Sequence, residues 1–114
     1  MKQRKPELQI HQAVADHLRL RAKPGVLWFH VPNAPRSAIT GKVLKSMGML
    51  AGVADLLLFH NGEFFALELK APKGRVQPSQ VGFAKQWVEA GGYAMTAYNV
   101  DEALSFLSCW GLLK

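Results

Sequence analysis

Two apolar, strand-like runs, residues 53–60 and 63–70, stand on either side of Asn61-Gly62. Asn-Gly between two such runs is the strongest short-range signal for a β-hairpin, because both turn residues tolerate positive φ. The runs are apolar on both faces, as residues 56–58 illustrate. A strand pair that is covered on both sides implies a sheet between two layers of helices.

The rest of the chain supplies helices and two more strands. Helices are predicted over 6–21, 42–47, 78–90 and 101–107, the last with Asp101 as its cap, and strands over 26–31 and 93–98. The order predicts an α/β fold with an αβββαβ core. Its central mixed sheet would have about four strands, flanked by helices.

Length and charge narrow the function. The 114 residues suit one domain over 1–114, and 14 Lys and Arg against 8 acidic residues give a net charge of +6. Such a surplus favours a polyanionic partner. No apolar stretch approaches the ~20 residues that span a bilayer, so no membrane partner is expected. The single cysteine, Cys109, excludes an internal disulfide, and its apolar neighbours predict a buried thiol in a cytoplasmic protein.

The hairpin register places charged side chains together. With a two-residue turn, His60 pairs with Glu63, and counting back sets Asp55 opposite Glu68, their Cβ atoms ~5 Å apart. Lys70 lies two residues beyond Glu68 and projects from the same face. The sequence therefore predicts two carboxylates and one ammonium on one patch of a mostly apolar hairpin.

Opposed carboxylates in an apolar setting need a compensating charge, because like charges destabilise a strand pair and burying an unpaired carboxylate is costly. A divalent cation resolves both problems, and hard oxygen ligands suit Mg²⁺ or Mn²⁺. Such an ion could bind a scissile phosphate and activate a water molecule. The alternative is a structural salt bridge between Lys70 and Glu68 or Asp55, and the pattern alone favours neither.

The spacing of these residues resembles a known nuclease motif. Asp55, twelve intervening residues and then Glu68-Leu69-Lys70 resemble the PD-(D/E)XK motif, and the chain is more closely similar to the VRR-NUC branch, the virus-type replication-repair nuclease domain. The resemblance spans nearly the whole chain and implies the restriction-endonuclease-like form of the αβββαβ core. It includes Glu7 in the first helix and the strand ending in Asn33.

The remaining matches follow in the family's order. Residues 52–56 are similar to its Gly-x-Pro-Asp segment, and Gln80 follows a basic glycine loop at the opening of a helix. Ala54 replaces the motif's proline, and Gln77 stands where the family usually has serine. The proline does no chemistry, and the loss of the serine weakens the helix cap without moving Gln80 out of register.

The resemblance implies a role for each matching residue. Asp55 and Glu68 would be metal ligands together with the Leu69 backbone carbonyl, and Lys70 would be the catalytic lysine. Gln80 would position the water, the lysine or the phosphate. Glu7 would line the site from the first helix and contact metal through water or a second ion, although an acid in a first helical turn is equally explained by the helix dipole.

Basic residues in the flanking loops are candidate DNA contacts. They would bind phosphates without reading sequence, and the alternative is a merely soluble surface. With Asn33, they are Arg36, Lys42, Lys45, Lys73 and Arg75. His11 is four residues from Glu7 on the same helix face, and a solvated pair of the two is favoured.

The resemblance implies a Mg²⁺- or Mn²⁺-dependent DNA endonuclease of bacterial or phage origin. Stand-alone members of the family look like Holliday-junction resolvases, so a homodimer acting on branched DNA in repair, recombination or phage replication is the specific expectation. The alternatives are a nicking, flap-cutting or unspecific endonuclease, or a non-catalytic nucleic-acid-binding module on the same fold. A further alternative is a small α/β protein with structural acids.

Overall fold

The computed structural model describes residues 5–32 and 38–114. The helices are α1 (Lys5–Arg21), α2 (Ala38–Ser46), α3 (Pro78–Glu89) and α4 (Val100–Cys109). The strands are β1 (Leu27–His30), β2 (Leu56–His60), β3 (Glu63–Leu69) and β4 (Tyr93–Ala97). The predicted α/β architecture is confirmed, and its αβββαβ core carries α2 as an insertion and α4 as an extension.

The four strands form one mixed sheet in the order β1-β2-β3-β4. The first two pairings are antiparallel and β3 runs parallel to β4. His60 pairs with Glu63, as the two-residue turn predicts, and Asn61 and Gly62 both have positive φ, 51° and 79°. The hairpin register is therefore confirmed.

The ladder between β2 and β3 is shorter than the expected run that begins at residue 53. Strand β2 begins at Leu56, and Asp55 lies in a bend directly before it. The Asp55 side chain, instead of its backbone, accepts the N–H of Leu69. Its backbone carbonyl accepts the N–H of Val31 at 2.9 Å. The β2–β3 ladder therefore ends at Leu56, and beyond it the Asp55 carboxylate, instead of a backbone carbonyl, accepts the Leu69 N–H.

Alternation along β3 separates the two faces of the sheet. One face packs against α1 and α4. The fully buried residues of this layer include Leu67 of β3, Val14 and Leu18 of α1, and Leu107 of α4. The opposite face carries Ala66 against Phe83 of α3. Glu68 follows Ala66 by two residues, so it also lies on the α3 face.

Two local predictions are wrong. Asn99, not Asp101, caps α4 and accepts the N–H of Glu102 at 2.8 Å. Cys109 is exposed, because it lies in the last turn of α4 on the side away from buried Leu107. None of the helices in the described parts of the chain has the length and apolar character needed to cross a membrane.

Candidate active site

Asp55 joins the two hairpin strands at the end of the sheet. Its residue surface is 8 % exposed, and its Oδ2 accepts the Leu69 N–H at 2.7 Å. This bond holds the carboxylate beside the last residues of β3. The predicted convergence of Asp55 with the 68–70 segment is therefore present in the structure.

Glu68 is equally buried, at 7 % exposed. Its Oε2 accepts a hydrogen bond from Gln80 Nε2 at 2.5 Å and lies 3.6 Å from Lys70 Nζ. Its Oε1 is buried and has no hydrogen-bond partner among the described residues. Burial, followed by the charge of Asp55, raises the pKa of Glu68 from 4.5 to about 8.

Lys70 follows β3 and is 9 % exposed. Its backbone N–H donates to the Ala97 carbonyl at 2.9 Å, which extends the parallel pairing by one residue and holds the segment in place. The side chain is on the same face as Glu68, as the two-residue spacing predicts. This buried pair of an ammonium and a carboxylate is equally consistent with the alternative that Lys70 and Glu68 form a structural salt bridge.

Gln80 reaches the site from the first turn of α3. Its Oε1 accepts the backbone N–H of Gln77 at 2.8 Å, so its Nε2 is directed to Glu68. Pro78 supplies the fixed φ that suits the first helical position. The side chain of Gln80 thus caps the helix and also orients a carboxylate.

Gly52 fixes the distance between this helix start and the Asp55 segment. Its φ is +78°, and a Cβ there would lie 2.2 Å from the Ser79 carbonyl oxygen and 2.7 Å from the Gln80 nitrogen. Only glycine permits this approach. The glycine in front of Asp55 is therefore explained by packing against the helix that carries Gln80.

Helix α1 contributes the other wall. Glu7 lines the cleft, and its charge is one of the causes that raise the pKa of Asp55, after burial, which is the largest. The Leu69 N–H, His11 and Lys70 act in the opposite direction on that pKa, but the net direction is upward.

His11 is a residue whose position the sequence reasoning missed. Its Nε2 lies 3.5 Å from Asp55 Oδ1, and its ring meets His30 edge-to-face with 5.4 Å between ring centroids. His30 Nδ1 lies 3.0 Å from the Asp55 backbone oxygen. The sequence favoured a solvated pair of His11 with Glu7, so the contact of His11 with Asp55 was not predicted. The four-residue spacing, which sets His11 on the same helix face as Glu7, was the one indication that His11 faces the site.

Asp55 and Glu68 line an open cleft of about 1290 Å³. Its walls also include Glu7, His11, Lys73, Gly74 and Gln80. The cleft runs between α1 and the loop that follows β3. Its volume is larger than the ~300–1,000 Å³ of typical small-molecule pockets.

The predicted basic contacts are divided between the loop beside this cleft and helix α2. Lys73 lines it, and Arg75 is exposed in the same loop. Lys42 and Lys45 are exposed on α2. Asn33 and Arg36 lie outside the described residues.

The residues present fit a Mg²⁺ or Mn²⁺ ion. No three His, Cys, Asp or Glu side chains within residues 5–32 and 38–114 converge as a ready-made metal cage. Mg²⁺ seldom uses one, because it keeps water ligands and takes one or two carboxylates together with substrate phosphate. Two desolvated carboxylates, one with an unpartnered oxygen, match that requirement.

A structural salt bridge leaves part of this arrangement unexplained. Lys70 can neutralise one carboxylate, whereas two acids, Asp55 and Glu68, are buried beside it, and the charge of Glu7 further raises the pKa of Asp55. The Leu69 carbonyl adds a further oxygen. Since the N–H and C=O of a strand residue point to the same side, and the Leu69 N–H bonds Asp55, the carbonyl is directed to the same side as Asp55.

Comparison with known proteins supports the fold. No protein-family model matches the chain, and no curated protein matches its sequence. A solved structure named "VRR_NUC domain protein" is similar at 19% identity, with a TM-score of 0.72 over 92% of this chain and 87% of that one. Another, named "VRR_NUC domain", is similar at 13% identity, with a TM-score of 0.63 over 90% of this chain and 95% of that one. The chain therefore has the fold of the VRR_NUC domain, as its resemblance in sequence predicts.

Proposed function

We propose that this protein is a metal-dependent nuclease that hydrolyses phosphodiester bonds in DNA. The observation that carries the proposal is the buried pair Asp55 and Glu68, which lines an open cleft and has Lys70 beside Glu68. Burying two acids together is unfavourable for stability alone, since the charge of each raises the free energy of ionising the other. Such an arrangement is typical of a functional site.

Asp55, Glu68 and the Leu69 carbonyl would hold the cation, either Mg²⁺ or Mn²⁺, with Glu7 at its margin. When bound, the ion supplies Lewis-acid activation of water and neutralises charge on the phosphate. The protein's own residues act around it. Lys70 would orient the attacking water or stabilise negative charge that develops on the phosphate oxygens. Gln80 holds Glu68 in place through its amide.

His11 is a positioning residue in this proposal. Its Nε2 lies next to Oδ1 of Asp55, the oxygen that does not accept the Leu69 N–H. Contacts from both sides restrict the rotation of the carboxylate, so its oxygens are directed before an ion arrives. Fixed ligands reduce the reorganisation needed on binding.

The proposed substrate is branched DNA, with a homodimer placing one site on each of two strands. The net charge of +6 and the exposed lysines on α2 support a polyanionic substrate. The open cleft supports a polymer rather than a nucleotide. Junction resolution is the specific form of the proposal, and nicking or flap cutting is its nearest alternative.

The test is cleavage of a labelled four-way junction beside linear duplex and flap DNA, with Mg²⁺, Mn²⁺ or EDTA. We expect paired, metal-dependent cuts at the junction. Lys70→Ala should abolish cleavage and preserve the fold. Lys23→Ala, which changes an exposed lysine outside the cleft, should preserve both cleavage and the fold.

The possible results separate the alternatives. Cutting of every substrate would retain the nuclease and reject the junction specificity. DNA binding without cutting under any metal condition would favour a non-catalytic binding module. Full activity in Lys70→Ala would remove that lysine from the mechanism.

A further inference from the structure

Helix α2 exposes an apolar stripe. Ile39, Val43 and Met47 recur every four residues, so they lie on one side of the helix and its last turn. Their exposed fractions are 77%, 53% and 77%. Leu50, which is 43% exposed, extends the apolar surface beyond the helix. Contiguous exposed apolar surface of this kind marks an interaction site more often than scattered single residues do.

Residues 5–32 and 48–114 leave this stripe exposed. Within the described residues, α2 forms no extensive packing with another helix or strand. Its opposite side, at Gly41 and Lys45, borders a cavity of about 320 Å³ that Ser79 and Gln80 also line. Gln80, which bonds Glu68, lines both this cavity and the cleft of the candidate active site, so α2 lies across the cavity from Gln80.

Charge indicates the kind of partner. Residues 38–54 contain Lys42 and Lys45 and no acidic residue. Both lysines are exposed, and Lys42 lies one residue from Val43 of the stripe. Pairing α2 with the α2 of a second copy would bring like charges together. A partner that is both anionic and locally apolar suits the helix better.

Branched DNA has both properties. At a branch point the stack is interrupted, so the apolar face of a terminal base pair is exposed within a few ångströms of charged phosphates. Proteins that bind deformed DNA insert Ile, Leu or Met at such interrupted stacks. A continuous linear duplex presents no comparable apolar face.

We propose that α2 is a wedge that recognises the branch point of DNA. Ile39, Val43 and Met47 pack against the exposed base pair, while Lys42 contacts the adjacent phosphates. The wedge directs branched DNA, in preference to linear DNA, to the neighbouring cleft. This inference rests on the proposed nuclease function and assigns the residues that select its substrate.

The test compares Ile39→Ser/Met47→Ser with a matched control, Leu20→Ser/Val88→Ser. The control residues are exposed by 77% and 54% and lie on α1 and α3. Binding is measured in EDTA to a four-way junction and a linear duplex, with 2-aminopurine at the branch to report unstacking. Thermal melting and analytical ultracentrifugation accompany each variant.

We expect the wedge variant to lose about 5- to 150-fold in junction affinity, which corresponds to the loss of one contact with a base face. The 2-aminopurine signal should fall with it, while linear-duplex binding, melting temperature and oligomeric state stay unchanged. The control variant should behave as the unmodified protein does.

Three results would overturn the proposal. The first is an equal loss on linear and branched DNA. The second is a change in oligomeric state with the loss, which would assign the stripe to a second copy. The third is unchanged junction binding by the wedge variant. Metal-dependent cleavage of linear DNA by the unmodified protein would leave the nuclease proposal standing in each case.

Discussion

Replacing Glu68 with glutamine should make the metal-free protein more stable at alkaline pH. Glu68 is 7 % exposed, lies beside Asp55, and has one oxygen without a partner among the described residues. Its pKa is raised from 4.5 to about 8, first by burial and then by the charge of Asp55. The folded state therefore binds this proton more tightly than the unfolded state does.

The sign of the effect follows from proton linkage. Between pH 4.5 and about 8 the folded protein holds a proton that the unfolded chain has released, so the free energy of unfolding falls as pH rises. Each unit of pKa difference corresponds to about 1.36 kcal/mol, which gives a loss of about 3–5 kcal/mol across this window. Glutamine carries no charge, so the Glu68→Gln variant lacks this loss. Its amide oxygen can still accept the hydrogen bond from Gln80.

The assay is urea denaturation in EDTA at pH 5, 6, 7, 8 and 9. We expect the variant and the unmodified protein to be similar near pH 5 and to diverge by about 3–5 kcal/mol at pH 9. Glu89→Gln, an exposed glutamate on α3, is the matched control and should track the unmodified protein. Parallel profiles, or a variant that is less stable at pH 9, would refute the reasoning and favour a structural pairing of Glu68 with Lys70.

Three further predictions address the same end of the sheet. Stabilisation by Mg²⁺, measured as a shift in melting temperature, should be larger at pH 8.5 than at pH 6, because the ion competes with the proton on Glu68. A shift that does not depend on pH would count against binding of the ion to Glu68. Asp55→Asn should raise the free energy of unfolding in EDTA at neutral pH, since burial raises the pKa of Asp55, and should reduce the melting-temperature shift caused by Mg²⁺. A large destabilisation in EDTA would indicate a structural ion pair. Gly52→Ala should lower the free energy of unfolding by more than about 2 kcal/mol, because the strain of positive φ and the overlap with Ser79 add. The control Gly48→Ala, at φ +101° with nothing within 4 Å, should lower it by only about 1–2 kcal/mol, and equal losses in urea denaturation would contradict the packing argument.

The hairpin and its charged patch were predictable from the sequence because they depend on local rules. Asn61-Gly62 permits one two-residue turn, and the two-residue period of a strand then sets Asp55 opposite Glu68. Lys70 follows from the same period. The first helix was predictable because its buried residues recur at helical spacing.

The environment of those charges required the tertiary structure. Burial decides whether two opposed acids are ordinary surface groups or a desolvated pair, and the helices on both faces of the sheet determine it. The contact of His11 with Asp55 joins residues 44 positions apart, and the bond from Gln80 to Glu68 depends on how α3 crosses the sheet. The exposure of Cys109 likewise depends on which side of α4 faces the core.

The sequence alone therefore determined which charged groups share one face of the hairpin, because turn geometry and strand period act over a few residues. Only the tertiary structure decided how deeply those groups are buried, which side chains from α1 and α3 orient them, and that α2 exposes an apolar side next to them. Those properties arise from packing between elements distant in sequence, which no local pattern encodes.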